Sequence, residues 1–399
     1  MKIIHMFWKQ VKEGLADIFV VWRDEFSLVI HDAAILMLFL AAPLLYPIVY
    51  SLIYSHEVAR EAKMVVVDQC NSPETREFRR MCDATPDIEV VGLCANMQEA
   101  QEALRRREAF GILVFPRNFS KALAHKEHAY VQLYSDMSSL LYYKCFLLNV
   151  TEVSLKMNKD IQVRDMSNAT EREAEVSTTP IEYEDVAFFN PKSGFASFLI
   201  PGFLMLLIQQ TLIIGICALA GSIYDKKMYH VLEPIMRHRR GSFRIIFGKA
   251  LCYMMFYGIM CAYLLWVIPW MFNLPRMGDP WNIVAFLLPY LAACIFFGMS
   301  ISVFIKEKET AYVLIVASSL IFLFISGLSW PAASVPWYWK ALSYFFPSTF
   351  GLQGFVKINT MGATIPDLRT ECIGLIVQIC VYFLLATLVY RYRVKKECA

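Results

Sequence analysis

Charged residues are scarce in this sequence. They make up 18% of the 399 residues, whereas hydrophobic residues make up 57%; a typical globular domain has roughly a quarter of its residues charged. The formal net charge of +3 is too small to indicate a nucleic-acid partner, and no basic stripe with interleaved aromatic residues occurs. The composition therefore argues against a soluble protein of two or three domains.

A complete phosphate-binding loop is also missing. The pattern G-x-x-x-x-G-K-[ST] has only a partial counterpart in GSFRIIFGKA, where Phe243 takes the first glycine position and Ala250 replaces the hydroxyl residue. No Ser-His-Asp set and no pair of carboxylates stands out. The sequence therefore predicts a chain that is not itself an enzyme and that binds no cofactor directly.

Cysteine pairs at metal-ligand spacing are absent as well, although the chain has 11 cysteines. No C-x-x-C occurs, so we expect no metal site. Most cysteines lie in apolar segments, where a free cysteine behaves as a small apolar residue. Those in the polar region are Cys70, Cys82, Cys94 and Cys145. They allow three pairings, and we expect one disulfide or none.

What the sequence has in abundance is apolar runs of about 20 residues, the length that crosses a bilayer core as a helix. We predict six transmembrane helices, at about 33–54, 195–222, 245–272, 282–305, 311–329 and 371–391. The first run starts too far into the chain and lacks a small-residue cleavage site, so we do not interpret it as a cleavable signal peptide. The fold class is thus a polytopic α-helical membrane protein.

Lysine and arginine concentrate on one side of these spans. They lie before the first span, between the second and third, between the fourth and fifth, and after the last, whereas the opposite short loops hold few. Tryptophans flank the spans on that opposite side, as in the aromatic belt of a membrane interface. The positive-inside rule then places both termini in the cytoplasm.

The segments outside the spans differ in character. Residues 1–30 place Phe7, Val11, Leu15 and Ile18 at helical spacing, which predicts an amphipathic helix on the inner membrane face; a simple leader to the first span is the alternative. Residues 55–194 alternate strand and helix patterns, which predicts an extracytoplasmic α/β domain with a largely parallel sheet, inserted between the first two spans. The aromatic, Pro- and Gly-interrupted stretch 327–370 predicts outer amphipathic or re-entrant helices.

Gln209 and Gln210 lie in the middle of the second span. Polar groups at that depth are costly unless they are paired. One interpretation is that they bind neighbouring helices; the other is that they line a substrate path.

The whole arrangement resembles the permease subunits of ABC-type exporters of the ABC-2 membrane family, in the bacterial drug-exporter branch with a large outer domain. The resemblance rests on EAQEALRRREAFGILVFPRNFSKAL with VQLYSDMSS, on FNPKSGFASFLIPGF, and on ISGLSWPAASVPWYWKALSYFFPSTFGLQGFVKINTMGA. Residues 224–245 resemble the family's cytoplasmic coupling segment, E-x-G-T-x-E followed by Gly-Lys. Glu233 matches the second glutamate, and Gly248 and Lys249 match the Gly-Lys pair. His230 and Val231 depart from the usual Gly-Thr pair.

This resemblance implies a function and partners. The chain, with its five-span region at 195–399, would be the transport subunit of an ATP-driven exporter in a bacterial inner membrane. A separate ABC ATPase subunit would bind ATP and magnesium, and the permease would form a homodimer or a heterodimer with a paralogue. Residues implied to couple to the ATPase are Tyr229, Leu232, Glu233, Met236, Gly248 and Lys249.

Three points stay open at this level. The substrate is predicted only as hydrophobic or amphiphilic, either drug-like, lipid or glycan. A periplasmic adaptor is a possible further partner of the outer domain. The alternative function is a membrane-anchored receptor or assembly scaffold whose outer domain binds a ligand or a cell-envelope partner, although five spans exceed what a receptor needs.

Overall fold

The computed structural model describes residues 2–54, 60–165, 189, 194–226, 228, 232–238, 241–330 and 332–397. The chain divides into two compact units. One consists of Met1–Ser55 with Ala187–Ala399, and the other is His56–Val186.

The first unit contains six helices that are long and apolar enough to cross a membrane. We number these spans 1 to 6: Ala33–Ile53, Ala196–Asp225, Gly241–Met271, Pro280–Ser302, Lys308–Ile325 and Ile365–Lys396. The chain is therefore a polytopic helical membrane protein, which confirms that part of the fold prediction.

Two spans are interrupted by π-helical turns. Span 1 consists of helices Ala33–Leu36 and Ala42–Ile53 joined by the π segment Met37–Ala41. Span 3 runs from helix Gly241–Ala262 through the π segment Tyr263–Val267 to helix Ile268–Met271. A proline follows each π segment within two residues, Pro43 in span 1 and Pro269 in span 3. Because proline has no N–H, it removes one bond of the helical ladder in the preceding turn.

Other helices complete this unit. The α1 helix, Lys2–His31, precedes span 1 and is separated from it by Asp32, whose extended backbone and side chain cap the next helix. Span 2 is the helix Phe195–Asp225, and span 6 consists of a 3-10 turn, Ile365–Leu368, and the helix Arg369–Glu397. A short 3-10 turn also occupies Ala332–Ser334.

The spans alternate in direction, and their ends meet in pairs. The Arg393 guanidinium, near the end of span 6, donates to the Val303 carbonyl just after span 4 and lies over the Tyr224 ring at the end of span 2. Lys308, at the start of span 5, contacts Asp32 at the start of span 1. We call this the terminal side of the unit, because it carries α1 and the end of span 6.

The second unit is an α/β domain, and its strands and helices follow the predicted order. Strands β1 to β4 are Ala62–Asp68, Ile88–Leu93, Gly111–Phe115 and Gln132–Ser135. Helices α2 to α5 are Pro73–Asp83, Met97–Arg105, Phe119–Ala124 and Leu140–Asp165. The strand order is β2-β1-β3-β4, parallel except for the antiparallel β3–β4 pair.

Both faces of the sheet bury apolar side chains. One face packs Met64, Val66 and Leu113 against residues of α2 and α5, and the other packs Val65 and Ile112 against α3. The edge strand β2 is partly closed, because the Asp83 carboxylate accepts the Val90 N–H at 2.9 Å. A blocked N–H makes an edge less able to pair with another strand.

The four cysteines of this unit are free thiols. Burial, together with the nearby Asp83 carboxylate, raises the pKa of Cys82 to about 12. Burial, with Asp87 close by, raises the pKa of Cys145 to about 11. Since the thiolate is the reactive form, these two side chains remain protonated and unreactive at neutral pH.

Candidate functional site

The connection between spans 2 and 3 carries four of the six residues that the family resemblance implies for coupling, and the other two, Gly248 and Lys249, lie in span 3. Within its described part, the α-helix is α6, Glu233–Arg237, and Met228 and Leu232 before it have 3-10 conformation. The half-buried Leu232 and Met236 pack against the apolar core of their own unit. Glu233 is half-buried at the first residue of α6, and Tyr229 lies outside the described residues.

A tight turn joins α6 to span 3 at Gly241. A Cβ at this position would lie 2.1 Å from the Ile235 carbonyl oxygen, so only glycine fits there. The short connection therefore holds α6 directly against the start of span 3.

Gly248 and Lys249 face α1 rather than solvent. A Cβ on Gly248 would lie 2.7 Å from Val21 Cβ and 2.8 Å from the Ile18 carbonyl oxygen, so the glycine allows α1 to approach span 3 closely. Lys249 Nζ lies 2.6 Å from Glu25 Oε2, and each side chain is only 3% exposed. Any coupling role for this Gly-Lys pair thus passes through α1, and its direct contact with an ATPase stays a prediction.

In the ion pair of Glu25 and Lys249, both carboxylate oxygens of Glu25 accept a hydrogen bond. Tyr253 donates its hydroxyl to the second Glu25 oxygen, and the Lys249 ammonium lies 5.8 Å from the centre of the Tyr390 ring. A buried ion pair is stable only when such additional bonds offset the loss of water. This pair fixes α1 to span 3.

Two further acidic residues, Asp17 in α1 and Asp32 directly after it, also form ion pairs. Asp17 Oδ2 lies 2.5 Å from Arg244 Nη1 and 2.9 Å from His238 Nδ1, which follows α6. Asp32, the residue after α1, lies 2.5 Å from Lys308 of span 5. The polar contacts of α1 and Asp32 therefore reach the segment around α6, span 3 and span 5.

These contacts affect the pKa of both aspartates in the same direction. Burial acts to raise the pKa of Asp17, but the hydrogen bonds and charges of Arg244 and His238 outweigh it, so the pKa lies below its ordinary value. At Asp32, burial also acts to raise the pKa, but the hydrogen bond and charge of Lys308 outweigh it, so this pKa is lowered as well. Both carboxylates are thus more stable ionised in the folded chain.

A lowered carboxylate pKa makes stability depend on acidity. The contribution of ionised Asp17 to the free energy of unfolding is present above the pKa of the unfolded chain, ordinarily 3.8. It is lost as the pH falls through the lower pKa of the folded chain. We expect Asp17→Asn to lower the thermal midpoint at pH 7 and to differ less from the unmodified chain near pH 3. Asp24→Asn is the control, because the salt bridge that Asp24 makes within the described part of the chain is a 3.4 Å exposed contact with Arg23. An equal effect of Asp17→Asn at both pH values would contradict this assignment.

A cavity of about 230 Å³ lies beside the Glu25–Lys249 pair. Its walls come from α1, from the end of span 2 and from the segment before α6, and they include Val21, Leu28, Ile223 and Leu232. The α1 helix is therefore not fully packed against the described residues of this segment.

Gln209 and Gln210 have different surroundings. Gln209 is fully buried, and its Oε1 accepts the backbone N–H of Ser348 at 2.5 Å and lies 3.8 Å from the Cys294 thiol. The Gln210 amide has no hydrogen-bond partner among the described residues. The contacts of Gln209 match the interpretation as an interhelical bond, and a role of either residue in a substrate path stays a prediction.

The partner of Gln209 belongs to a re-entrant element between spans 5 and 6. Helix α7, Trp337–Ser343, leads to a turn at residues 344–346, and helix α8, Pro347–Met361, leads away from it. At the far end of α8, the Asn359 carbonyl accepts the Met277 N–H from the loop between spans 3 and 4. Because Gln209 is mid-span while that loop lies opposite the terminal side, α8 runs from the level of Gln209 towards the side opposite the terminal side. Its place at the outer membrane face stays a prediction.

Three side chains stabilise the deep turn of this element. Besides Gln209, Gln378 Nε2 of span 6 donates to the Tyr344 carbonyl at 2.7 Å, and the Tyr382 hydroxyl donates to the Phe345 carbonyl. Irregular backbone at membrane depth is tolerated only where protein groups satisfy its polar atoms. These side chains therefore hold the turn against spans 2 and 6, while the Tyr344 and Phe345 side chains themselves are exposed.

Sequence reasoning missed Glu25, Gln378 and Tyr382. Gln378 and Tyr382 are polar residues within an apolar stretch, which is a usable signal for a buried contact. Glu25 follows Arg23 and Asp24 and carries no such signal, and the partners of all three lie far away in the chain. Among the described residues, no group of three or more His, Cys, Asp or Glu side chains could hold a metal ion.

Comparison with known proteins places this geometry in context. A sequence model of the family described as ABC-2 family transporter protein matches residues 33–388. The match covers all but the ends of the chain and includes both units. A search of curated proteins found no match.

Proposed function

Because the chain belongs to the ABC-2 transporter family and is thus a permease of an ABC transporter, we propose that it exports a hydrophobic or amphiphilic substrate from the cytoplasm. Membership of this family implies an ABC ATPase partner. The substrate is drug-like, lipid or glycan. Two permease subunits, identical or paralogous, work with two ATPase subunits that bind and hydrolyse magnesium-ATP. The chain lies in a bacterial inner membrane, with the terminal side in the cytoplasm and the α/β domain outside, where an adaptor can bind.

The observation that supports this mechanism is the polar connection through α1. Asp17 binds Arg244 and His238 beside α6, Glu25 binds Lys249 in span 3, and Asp32 binds Lys308 in span 5. An ATPase that moves the segment 224–245 therefore moves α1 with it, and α1 carries the movement to two spans. The chain's part is mechanical: it transmits displacement and lines the path, while ATP chemistry belongs to the partner.

Glu233 is the residue through which we test docking. Its place at the start of α6 puts a negative charge on the segment that meets the ATPase, and charge complementarity governs encounter and register at interfaces. We expect Glu233→Lys to reduce the ATPase retained by the tagged, purified chain by about tenfold, which corresponds to about 1.4 kcal/mol. Export falls in parallel.

The control is Glu309→Lys, which reverses an exposed acid near the start of span 5, on the terminal side. It should leave ATPase retention unchanged. The measurement is the ratio of ATPase to permease after affinity purification from native membranes. If no ATPase accompanies the unmodified chain, the exporter mechanism is wrong and the receptor or scaffold alternative is favoured. If Glu233→Lys and Glu309→Lys behave alike, the docking site lies elsewhere.

The substrate class is tested by sensitivity. Cells that lack the chain are screened against toxic amphiphiles, and the screen is repeated with the ATPase subunit removed. Matching hypersensitivity to the same compounds supports a drug-like substrate for the pair. Unchanged sensitivity to every compound argues for a lipid or glycan instead.

A further inference from the structure

The longest helix of the α/β domain, α5, has apolar residues on two opposite sides. One side, with Phe146, Val150 and Val153, is buried against the sheet. The other side exposes a row of leucines at a spacing of seven residues: Leu141, Leu148 and Leu155 are 46%, 68% and 54% exposed. The neighbouring Leu140 and Leu147 are exposed as well.

A spacing of seven residues keeps side chains on one stripe of a helix, which is the pattern by which two helices pack side by side. Scattered exposed leucines need no explanation, but a contiguous exposed apolar patch marks an interaction surface. We propose that α5 of one copy packs against α5 of a second copy, antiparallel, with the two-fold axis passing at Leu148. This interface joins the outer α/β domains and does not depend on which substrate is moved.

The charges on either side of the stripe select this partner and this direction. Lys144 and Glu152 are both exposed and lie four residues before and four residues after Leu148. An antiparallel two-fold pair therefore places Lys144 of each copy level with Glu152 of the other. It also places Leu141 opposite Leu155, so that the patch complements itself, as an isologous interface requires.

A parallel pair fits less well. It would bring each Leu148 to its equivalent, but it would also bring Lys144 towards Lys144 and Glu152 towards Glu152. Like charges at such positions oppose association. The described residues offer neither side chain an ion pair within its own chain, so both charges are available to a second copy.

Cysteine cross-linking in membranes tests the contact with the full chain. A disulfide requires Cβ atoms about 3.5–4.5 Å apart, so Leu148→Cys should give a covalent dimer on mild oxidation. The matched control is Gln101→Cys, an exposed position on α3, the helix on the opposite face of the sheet. The unmodified chain measures the background from native cysteines. Cross-linking of Leu148→Cys no greater than that of Gln101→Cys overturns the proposal.

The direction is tested with two differently tagged copies. Leu141→Cys in one copy and Leu155→Cys in the other should cross-link to each other more than either does to itself. Stronger cross-linking of each variant to itself would show a parallel pair and overturn the antiparallel register.

Charge reversal provides a further test in the Leu148→Cys background. Lys144→Glu alone should reduce cross-linking about tenfold through like-charge repulsion at both ends of the interface, and Glu152→Lys alone should do the same. The combination of both changes restores the pairing, because each charge again meets its opposite. Failure of the combined variant to recover counts against the proposed register. None of these readouts involves the ATPase, so they are independent of the result at Glu233.

Discussion

Replacement of Lys249 by methionine is expected to destabilise the membrane unit by about 3–5 kcal/mol, because it leaves the buried Glu25 carboxylate without its counter-charge. Both side chains are 3% exposed, so water cannot compensate. For a unit of this size the loss corresponds to a fall of about 6–20 °C in the midpoint of thermal unfolding. The measurement is the folded fraction that remains in detergent after heating.

The double variant separates charge from packing. Glu25→Gln with Lys249→Met removes both charges and should recover most of the loss, since replacement of a buried pair by neutral groups is often close to neutral. Lys306→Met is the matched control for removal of a cation, because Lys306 is exposed, and it should have little effect. If the double variant is as unstable as Lys249→Met, the instability comes from lost packing and the pair is not the cause.

The combined change of Gln209 and Gln378 to leucine is expected to cost about 1–3 kcal/mol for the buried Ser348 N–H, and less for the partly buried Tyr344 carbonyl, because both backbone groups of the turn lose their partners. Transport activity should fall with stability, since the turn no longer holds its place between spans 2 and 6.

Gln210→Leu is a closely matched control. It removes the same side chain from the adjacent position, where the amide has no partner among the described residues, so stability should be unchanged or slightly higher. Thermal midpoints in detergent and transport rates in cells are measured for both. If Gln210→Leu alters which compounds are transported without loss of stability, the predicted substrate path gains support. Equal destabilisation by both changes would show that the bond of Gln209 to Ser348 is not what matters.

Local patterns were sufficient to predict the α/β domain. The helix α2 begins where Ser72 and Pro73 predict it, with Ser72 and Thr75 exchanging hydrogen bonds, because caps and alternating apolar residues act over a few positions. The predicted sheet is found, with β4 as its antiparallel edge. The side of the membrane on which the domain lies stays a prediction.

The spans were also predicted, but some ends were placed too far inward. Span 3 begins at Gly241 and span 5 at Lys308, whereas the apolar runs alone suggest 245 and 311. The extra turns contain Arg244 and Lys308, whose charges are paired with Asp17 and Asp32. A single apolar run cannot reveal a partner more than 200 residues away. The charged residues therefore predict that each span begins later than it does in the structure.

The same limit explains the candidate site. Glu25 follows Arg23 and Asp24 directly, and no local pattern shows which of the two acids is buried. Gly248 and Lys249 were assigned to coupling because they match the Gly-Lys pair of the family's coupling segment. Their contacts with Val21 and Glu25 depend on how α1 packs, which is a property of the tertiary structure.

The π segments have a consequence for sequence length. A π turn holds one residue more than an α-helical turn, so Met37–Ala41 and Tyr263–Val267 are places where one residue is surplus. Deletion of one residue there would convert the turn to α-helix and leave the faces on either side in phase. The same deletion elsewhere in either span would rotate everything beyond it by about 100°, since an α-helix has 3.6 residues per turn. Spans 1 and 3 thus each contain one position at which the chain can shorten without turning its apolar faces away from their neighbours.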